Sequence, residues 1–374
     1  MSLSEYKLVG TVPPTYCSDP METMEVWAVD SVGKTHIAAQ FKIKYVDTVY
    51  CCNSDEWRLS KQFGTNFDSC ECMEVYNGKL YAGTANNAGL TGYATVWSYD
   101  DYTDVWTKLQ TIGNCHTVES AKVYDSKIYF GTGDTVGYAS IVSYSPTAGW
   151  NLHKIYASPI TRINALETYD GNLYIGNYST TQNVATVDKF DGTTFITSTQ
   201  VPIDFLGCKC LKADANYLYA GFWNSANLTT VAKFSTAAGV WSYAGNNAFA
   251  TAPTVRSLEI HDGKLYAGLG SNDGDAELWM LNPTTNLWEK IHDFGTGFYR
   301  VESLKSLGTK LYIGLGNTTG CGRVYSWNGT SIVLEHQFNP TTIEQVECLQ
   351  TYNSRLYAGL GRDSNSSAVW MLDT

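Results

Sequence analysis

A Leu/Ile-Tyr-x-Gly motif returns seven times along the chain, its glycine at Gly83, Gly131, Gly176, Gly221, Gly268, Gly314 and Gly359. The steps are 48, 45, 45, 47, 46 and 45 residues. A tyrosine stands two places before each glycine: Tyr81, Tyr129, Tyr174, Tyr219, Tyr266, Tyr312 and Tyr357. A glycine inside a strand weakens it unless another backbone must approach closely. A cost borne at so regular a step points to one supersecondary unit, stacked copy upon copy.

Each period divides alike. A first strand carries a small residue eleven places before the glycine: Cys72, Ser120, Ala165, Cys210, Ser257, Ser303 or Cys348. A tight Asx-Gly turn such as NGK or DGK follows, a hairpin signal. The tyrosine strand leads into a polar loop and a third strand such as TVWSYD (95–100) or ELWMLN (277–282). A fourth strand opens on an aromatic, Trp106, Trp150, Phe195, Trp241 or Trp288, with Ile332 in the repeat after those.

The region before residue 64 holds a degenerate further copy. METMEVW (21–27) parallels CECMEVY (70–76), KTHIAA (34–39) stands for the tyrosine strand, and Trp57 takes the outer aromatic place. The last copy ends after its third strand, VWMLDT, while EYKLVGTV (5–12) reads as an orphan fourth strand. The expectation is therefore a single all-β domain over 1–374, an eight-bladed β-propeller with four antiparallel strands per blade. Repeats begin near 21, 70, 118, 163, 208, 255, 301 and 346, and residues 1–14 supply the outer strand of the closing blade. Radial repetition of this kind limits exposed sheet edges.

The stretch LEIHDGKLYAGLG followed by LWMLNPTTNLWEKI resembles the kelch family of β-propellers, which shows a glycine-ended strand, a tyrosine and a tryptophan opening the outer strand. The resemblance implies the propeller fold and a binding platform, occasionally an enzyme, and with it an intracellular protein–protein interaction scaffold as one reading. Gly-Leu-Gly and Gly-Thr stand where the kelch double glycine would be. Fold by itself leaves function undecided.

Composition narrows the chemistry. The chain has 374 residues, only 16% of them charged, and a formal net charge of −11. An acidic surface argues against nucleic acid, whose phosphates need cations. No run of about 18 apolar residues is present to insert as a membrane helix, and MSLSEYKLVG has no apolar core of a secretory signal. The ten cysteines form no zinc spacing and read chiefly as small buried groups.

Two groups of residues are candidates for binding. Just before the small residue of the first strand stand Glu22, Glu71, Glu119, Asn164, Lys209, Arg256, Glu302 and Glu347. In a propeller these form a partial acid ring at the channel mouth, with Lys209 and Arg256 opposite, suited to a cation or a basic side chain. The long loops after the tyrosine strands, rich in Asn, Thr, Asp and Gly, bring Tyr93, Tyr138, Tyr178 and Trp223 as stacking surfaces for a sugar or a protein epitope. Asn272, Asp273 and Asp275 form a short acidic loop for a hard cation such as calcium. It occurs once and lacks the EF-hand spacing, so no cofactor is expected. No Ser-His-Asp elbow is recognisable, and a glycosidase pair is not singled out.

The sequence thus points to a non-enzymatic recognition or adhesion platform for a carbohydrate or protein ligand, in a virion or cell-surface setting where it assembles with other structural proteins. A cytoplasmic setting stays open. A carbohydrate-active hydrolase or lyase using the channel carboxylates is the enzymatic alternative.

Overall fold

The computed structural model describes the backbone of Met21–Val29 and Thr35–Lys44. From Glu56 to Asp373 it describes all residues except 65, 87–92, 134–137, 182–185, 198–204, 224–229, 246–248, 250–253, 317–321, 339–342, 344 and 362–366. The chain divides into two compact units, Met1–Ser54 and Asp55–Thr374. In the first, Met21–Val29 pairs antiparallel with Thr35–Lys44, from Met21 opposite Lys44 to Val29 opposite Thr35.

In the second unit the repeat folds as the sequence predicts, as antiparallel four-stranded meanders. The innermost strands are Phe67–Tyr76, Thr117–Tyr124, Ile160–Tyr169, Gly207–Ala213, Val255–His261, Arg300–Leu307 and Gln345–Tyr352. They open the first to seventh sheets in that order. Each hairpins into its tyrosine strand through turns such as Asn77-Gly78, with φ of 48° and 71°. That geometry favours glycine and asparagine and matches the twist of the paired strands. Each inner strand stands beside the next, and the seventh stands beside the first.

The closing sheet differs from the expectation. Its third strand, Ala368–Asp373, pairs antiparallel with Glu56–Gln62, from Glu56 opposite Asp373 to Gln62 opposite Ala368. The outer place assigned to residues 5–12 is therefore taken by the strand carrying Trp57, and residues 1–14 lie outside the described residues. Seven sheets complete the circuit of Asp55–Thr374, and the eighth is not formed there. The physical reason is packing. Trp57 is 8% exposed and meets the edge of Phe338 at 5.3 Å, within a cluster that includes Val346 and Leu372. Phe63 is buried against Cys70 and Met73 of the first sheet. Trp57 does hold the outer aromatic place, but of the last sheet.

The recurring glycines are explained by what lies over them. A Cβ on Gly83 would sit 2.7 Å from Cys72 Sγ and 2.6 Å from Val118 Cγ1 of the next sheet. On Gly268 it would collide with Ser257 and Val301. The seven tyrosines of the motif are buried and pack between sheets, as wide apolar rings should. They are core and not a ligand cage.

The small residue of the inner strand is more than small. At six of the seven junctions it donates a hydrogen bond to a carbonyl of the following sheet. Cys72 Sγ reaches Val118 O at 3.3 Å, Ser120 Oγ reaches Ile163 O at 2.8 Å, and Cys210 Sγ reaches Val255 O at 3.7 Å. Ser257 reaches Val301 O at 3.0 Å, Ser303 reaches Val346 O at 3.0 Å, and Cys348 Sγ reaches Cys70 O at 3.3 Å across the closure. Ala165 holds the remaining place and has no donor. The acceptors lie beside β-bulges, as at Val118/Ser120 and Val346/Cys348. Ser303→Ala leaves the Val346 carbonyl without this donor, and equilibrium urea unfolding should show a loss of about 1–2 kcal/mol.

The described cysteines, Cys70, Cys72, Cys115, Cys208, Cys210 and Cys348, are free thiols. Burial pushes the thiols of Cys72, Cys208 and Cys348 well up, so they serve as neutral donors and fillers.

Candidate channel-mouth and loop-face site

The inner strands bring six of the predicted ring residues, with Asn164, to one level of the channel. Glu71, Glu119, Asn164 and Lys209, with Cys72 and Cys210, line a cavity of about 200 Å³. Each of three carboxylates is steadied from two residues earlier on its own strand. Ser69 Oγ donates to Glu71, Thr117 Oγ1 donates to Glu119 at 2.7 Å, and Gln345 Nε2 donates to Glu347 at 2.7 Å. Glu22 lies on Met21–Val29 of the other unit, its backbone opposite Ile43.

The cations gather on one side. Arg256 Nη1 and Lys209 Nζ approach Glu302 Oε1 at 3.6 and 3.8 Å, and Arg256 Nε donates to Gly270 O at 2.9 Å. Arg162, which the sequence reading did not single out, approaches Glu119 Oε1 at 3.5 Å. On the other side, desolvation pushes the Glu71 carboxyl up to about 7, with the charge of Glu119 adding to the rise. Ser69, Lys209 and Arg162 pull it back only in part. Glu71 keeps partial solvent contact through the channel while protein surrounds it on every other side.

Two residues beyond the small position lies a second belt. Around the seven sheets it reads Glu74, Lys122, Glu167, Lys212, Glu259, Lys305 and Gln350. Lys122 pairs with Glu167 at 2.5 Å and Lys212 with Glu259 at 2.8 Å. Signs cannot alternate around an odd ring. Gln350 takes the seam, its Nε2 donating to Met73 O at 3.1 Å. On either side of it, burial raises the Glu74 carboxyl and lowers the Lys305 ammonium. This belt was present in the sequence as an alternation at one repeat position. It becomes legible once the copies are aligned in a closed order.

On the loop side, Tyr178 ends the tyrosine strand of the third sheet and Trp223 that of the fourth. Their rings stack at 5.1 Å with an interplanar angle of 10°, and both keep partial exposure. Gly207 makes room beneath, since a Cβ there would meet Tyr178 Cδ2 at 2.8 Å. Tyr93 and Tyr138 are 43% and 44% exposed, just before the third strands of the first and second sheets. The polar loops between these strands fall largely outside the described residues.

The acidic loop is described and is internally satisfied. Asp275 Oδ2 accepts from the Asn272 backbone at 2.9 Å and its side chain at 2.8 Å, and Asp273 Oδ1 accepts from Gly297 N at 2.5 Å. Among the described residues no three or more His, Cys, Asp or Glu converge as metal ligands. A hollow of about 220 Å³ between hairpin turns is lined by Tyr169, Asp170 and Asp214. Asp214 there is spent on Asn216 N, Tyr217 N and Tyr219 Oη.

Fold and site together define a β-propeller-like protein, all antiparallel strand, with a charged channel mouth. No protein-family model matches the sequence, and no curated protein matches it. Solved structures do match in fold. The extracellular domain of a hybrid two component system from B. thetaiotaomicron superposes with a TM-score of 0.61 at 13% identity, over 84% of this chain and 39% of that one. The chain thus spans well under half the length of that structure. The WD40 β-propeller domain of Doa1 superposes with a TM-score of 0.57 at 17% identity, over 84% of this chain and 96% of that one. The kelch likeness remains one of sequence pattern.

Proposed function

We propose that the protein is a non-enzymatic recognition platform that binds a carbohydrate or protein ligand on the loop side of the ring. The stacked Tyr178–Trp223 pair carries this reading. Two aromatic rings, fixed on neighbouring sheets and held partly in solvent, offer an amphipathic flat surface of the kind that dominates binding hot spots. Tyr93 and Tyr138, exposed on the first and second sheets, are further contacts in this proposal, and the Asn- and Thr-rich sequence after the tyrosine strands offers hydrogen-bonding side chains. A surface or virion setting is part of the proposal.

A glycan array and a pull-down from cell-surface extract test it. The expected result is a saturable ligand whose affinity falls about tenfold or more in Trp223→Ala, a change of about 1.4 kcal/mol. Binding that ignores Trp223→Ala overturns the assignment to this pair. The raised Glu71 carboxyl beside Glu119 favours one alternative, a hydrolase or lyase with Glu71 as acid, since a buried carboxyl that keeps its proton near neutral pH suits proton donation. Turnover of a bound glycan that disappears in Glu71→Gln would establish it in place of simple binding.

A further inference from the structure

We propose that Cys70 and Cys348 form a modification site: a thiol pair that oxidises to a disulfide across the closure and so ties the seventh sheet covalently to the first. The site stands apart from the Tyr178–Trp223 surface.

Three observations carry it. First, the two sulfurs converge. Cys348 Sγ lies 3.3 Å from Cys70 O, and a side-chain hydrogen bond links the two thiols. Both fill the space left by Gly359, where the Cβ it lacks would sit 2.5 Å from Cys348 Sγ and 2.9 Å from Cys70 Sγ. Two sulfurs drawn to one point from neighbouring strands are what a disulfide requires. Second, the match occurs at this junction alone. Over each motif glycine, the small residue of one sheet meets the residue standing two places before the small residue of the next. At the other six junctions that second place holds Val118, Ile163, Cys208, Val255, Val301 or Val346, and Cys208 meets Ala165. Among the described residues, two cysteines face each other across a junction only at the closure. Third, the neighbouring thiols are turned elsewhere. Cys72 Sγ points to Val118 O and Cys210 Sγ to Val255 O.

The closure is also where a cross-link acts most. Cys70 and Cys348 are 278 residues apart, whereas Ser120 and Ile163, which meet at an ordinary junction, are 43 apart. A longer closed loop removes more freedom from the unfolded chain. The disulfide would therefore hold the ring shut at the one junction that joins its two ends.

The oxidant is a small-molecule disulfide such as oxidised glutathione. Cys348 is partly exposed while Cys70 is fully buried, so Cys348 is the entry sulfur. As a thiolate it attacks one sulfur of the oxidant, forming a mixed disulfide and releasing one small thiolate. The Cys70 thiolate then attacks the Cys348 sulfur, forming the Cys70–Cys348 bond and releasing the second. The two protein thiols give up two protons and two electrons, and the oxidant leaves as two thiols. Burial raises the Cys348 thiol well above its ordinary range, so exchange is slow in the closed ring and proceeds while the seventh sheet is undocked.

The test incubates the full chain in mixtures of oxidised and reduced glutathione, at urea just below the unfolding midpoint, where closed and open rings exchange. The protein is then blocked with iodoacetamide and digested without reduction. The expected result is a cross-linked peptide pair joining Cys70 to Cys348, with Cys210 alkylated, and a urea midpoint that falls when a thiol reductant is added. Cys348→Ser is the comparison, since its hydroxyl can donate as those of Ser257 and Ser303 do. It should fold, and it should lose both the cross-link and the reductant-dependent shift. Alkylation of both Cys70 and Cys348 even in oxidised glutathione alone overturns the proposal. A bond from either one to a different cysteine, or an equal reductant shift in Cys348→Ser, overturns it as well. None of these failures touches the Trp223 test of the aromatic surface.

Discussion

A chain beginning at Asp55 should unfold cooperatively, with a midpoint close to that of the full chain, whereas a chain beginning at Asn66 should not. The first truncation removes one compact unit and leaves the circuit of seven sheets whole. The second removes Glu56–Gln62 and with it two buried aromatics. Trp57 fills the space beside Phe338, and Phe63 packs on the first sheet and donates its N–H to Ser367 O at 3.1 Å. Losing a buried large aromatic costs about 3–5 kcal/mol, so two approach or exceed the whole stability of about 5–15 kcal/mol typical of native proteins. The ladder to Ala368–Asp373 and the Arg58–Asp373 pair at 3.0 Å are lost as well. Tryptophan fluorescence against urea reads both outcomes. Loss of cooperative unfolding on removal of residues 1–54 alone would restore the eight-sheet arrangement.

The belt of alternating charge gives an independent reason to expect closure at seven. With seven sheets, Gln350 separates Lys305 from Glu74. An eighth inner strand would insert Glu25, the equivalent of Glu74 in METMEVW, and set two buried carboxylates side by side, which raises the cost of charging both.

The second large effect is expected at the closure itself. Gly359→Ala should destabilise by about 3 kcal/mol or more, at or beyond the upper end of ordinary overpacking. Its Cβ would lie 2.5 Å from Cys348 Sγ, 2.8 Å from the Cys70 carbonyl and 2.9 Å from Cys70 Sγ. A backbone carbonyl cannot swing aside as a side chain can, and the same movement would disturb the Cys348-to-Cys70 hydrogen bond. Gly113→Ala is the control, because a Cβ there meets nothing within 4 Å. Thermal unfolding of the two variants should differ by several degrees. Equal midpoints would remove the close-approach explanation of the repeated glycine.

Much of this was legible in the chain because each repeat satisfies its own local demands. The Asx-Gly turns, the Tyr-x-Gly strand and the outer tryptophan specify one four-stranded unit without reference to any other, and the steps of 45–48 residues state that units stack. The candidate acids were found the same way, as one position read across copies. What failed was the reading of the ends, because METMEVW and Trp57 fit a further copy equally well on sequence pattern alone.

The sequence by itself determined the strands, the need for glycine at a close approach and the positions that reach the channel, since these follow from pattern, turn chemistry and period. Only the tertiary structure decided which outer strand completes the last sheet, that Glu302 and Glu119 lie beside cations, and that the small residues are donors between sheets. Those are contacts between residues as far apart as Glu56 and Asp373, and their partners exist only once the seventh sheet lies beside the first.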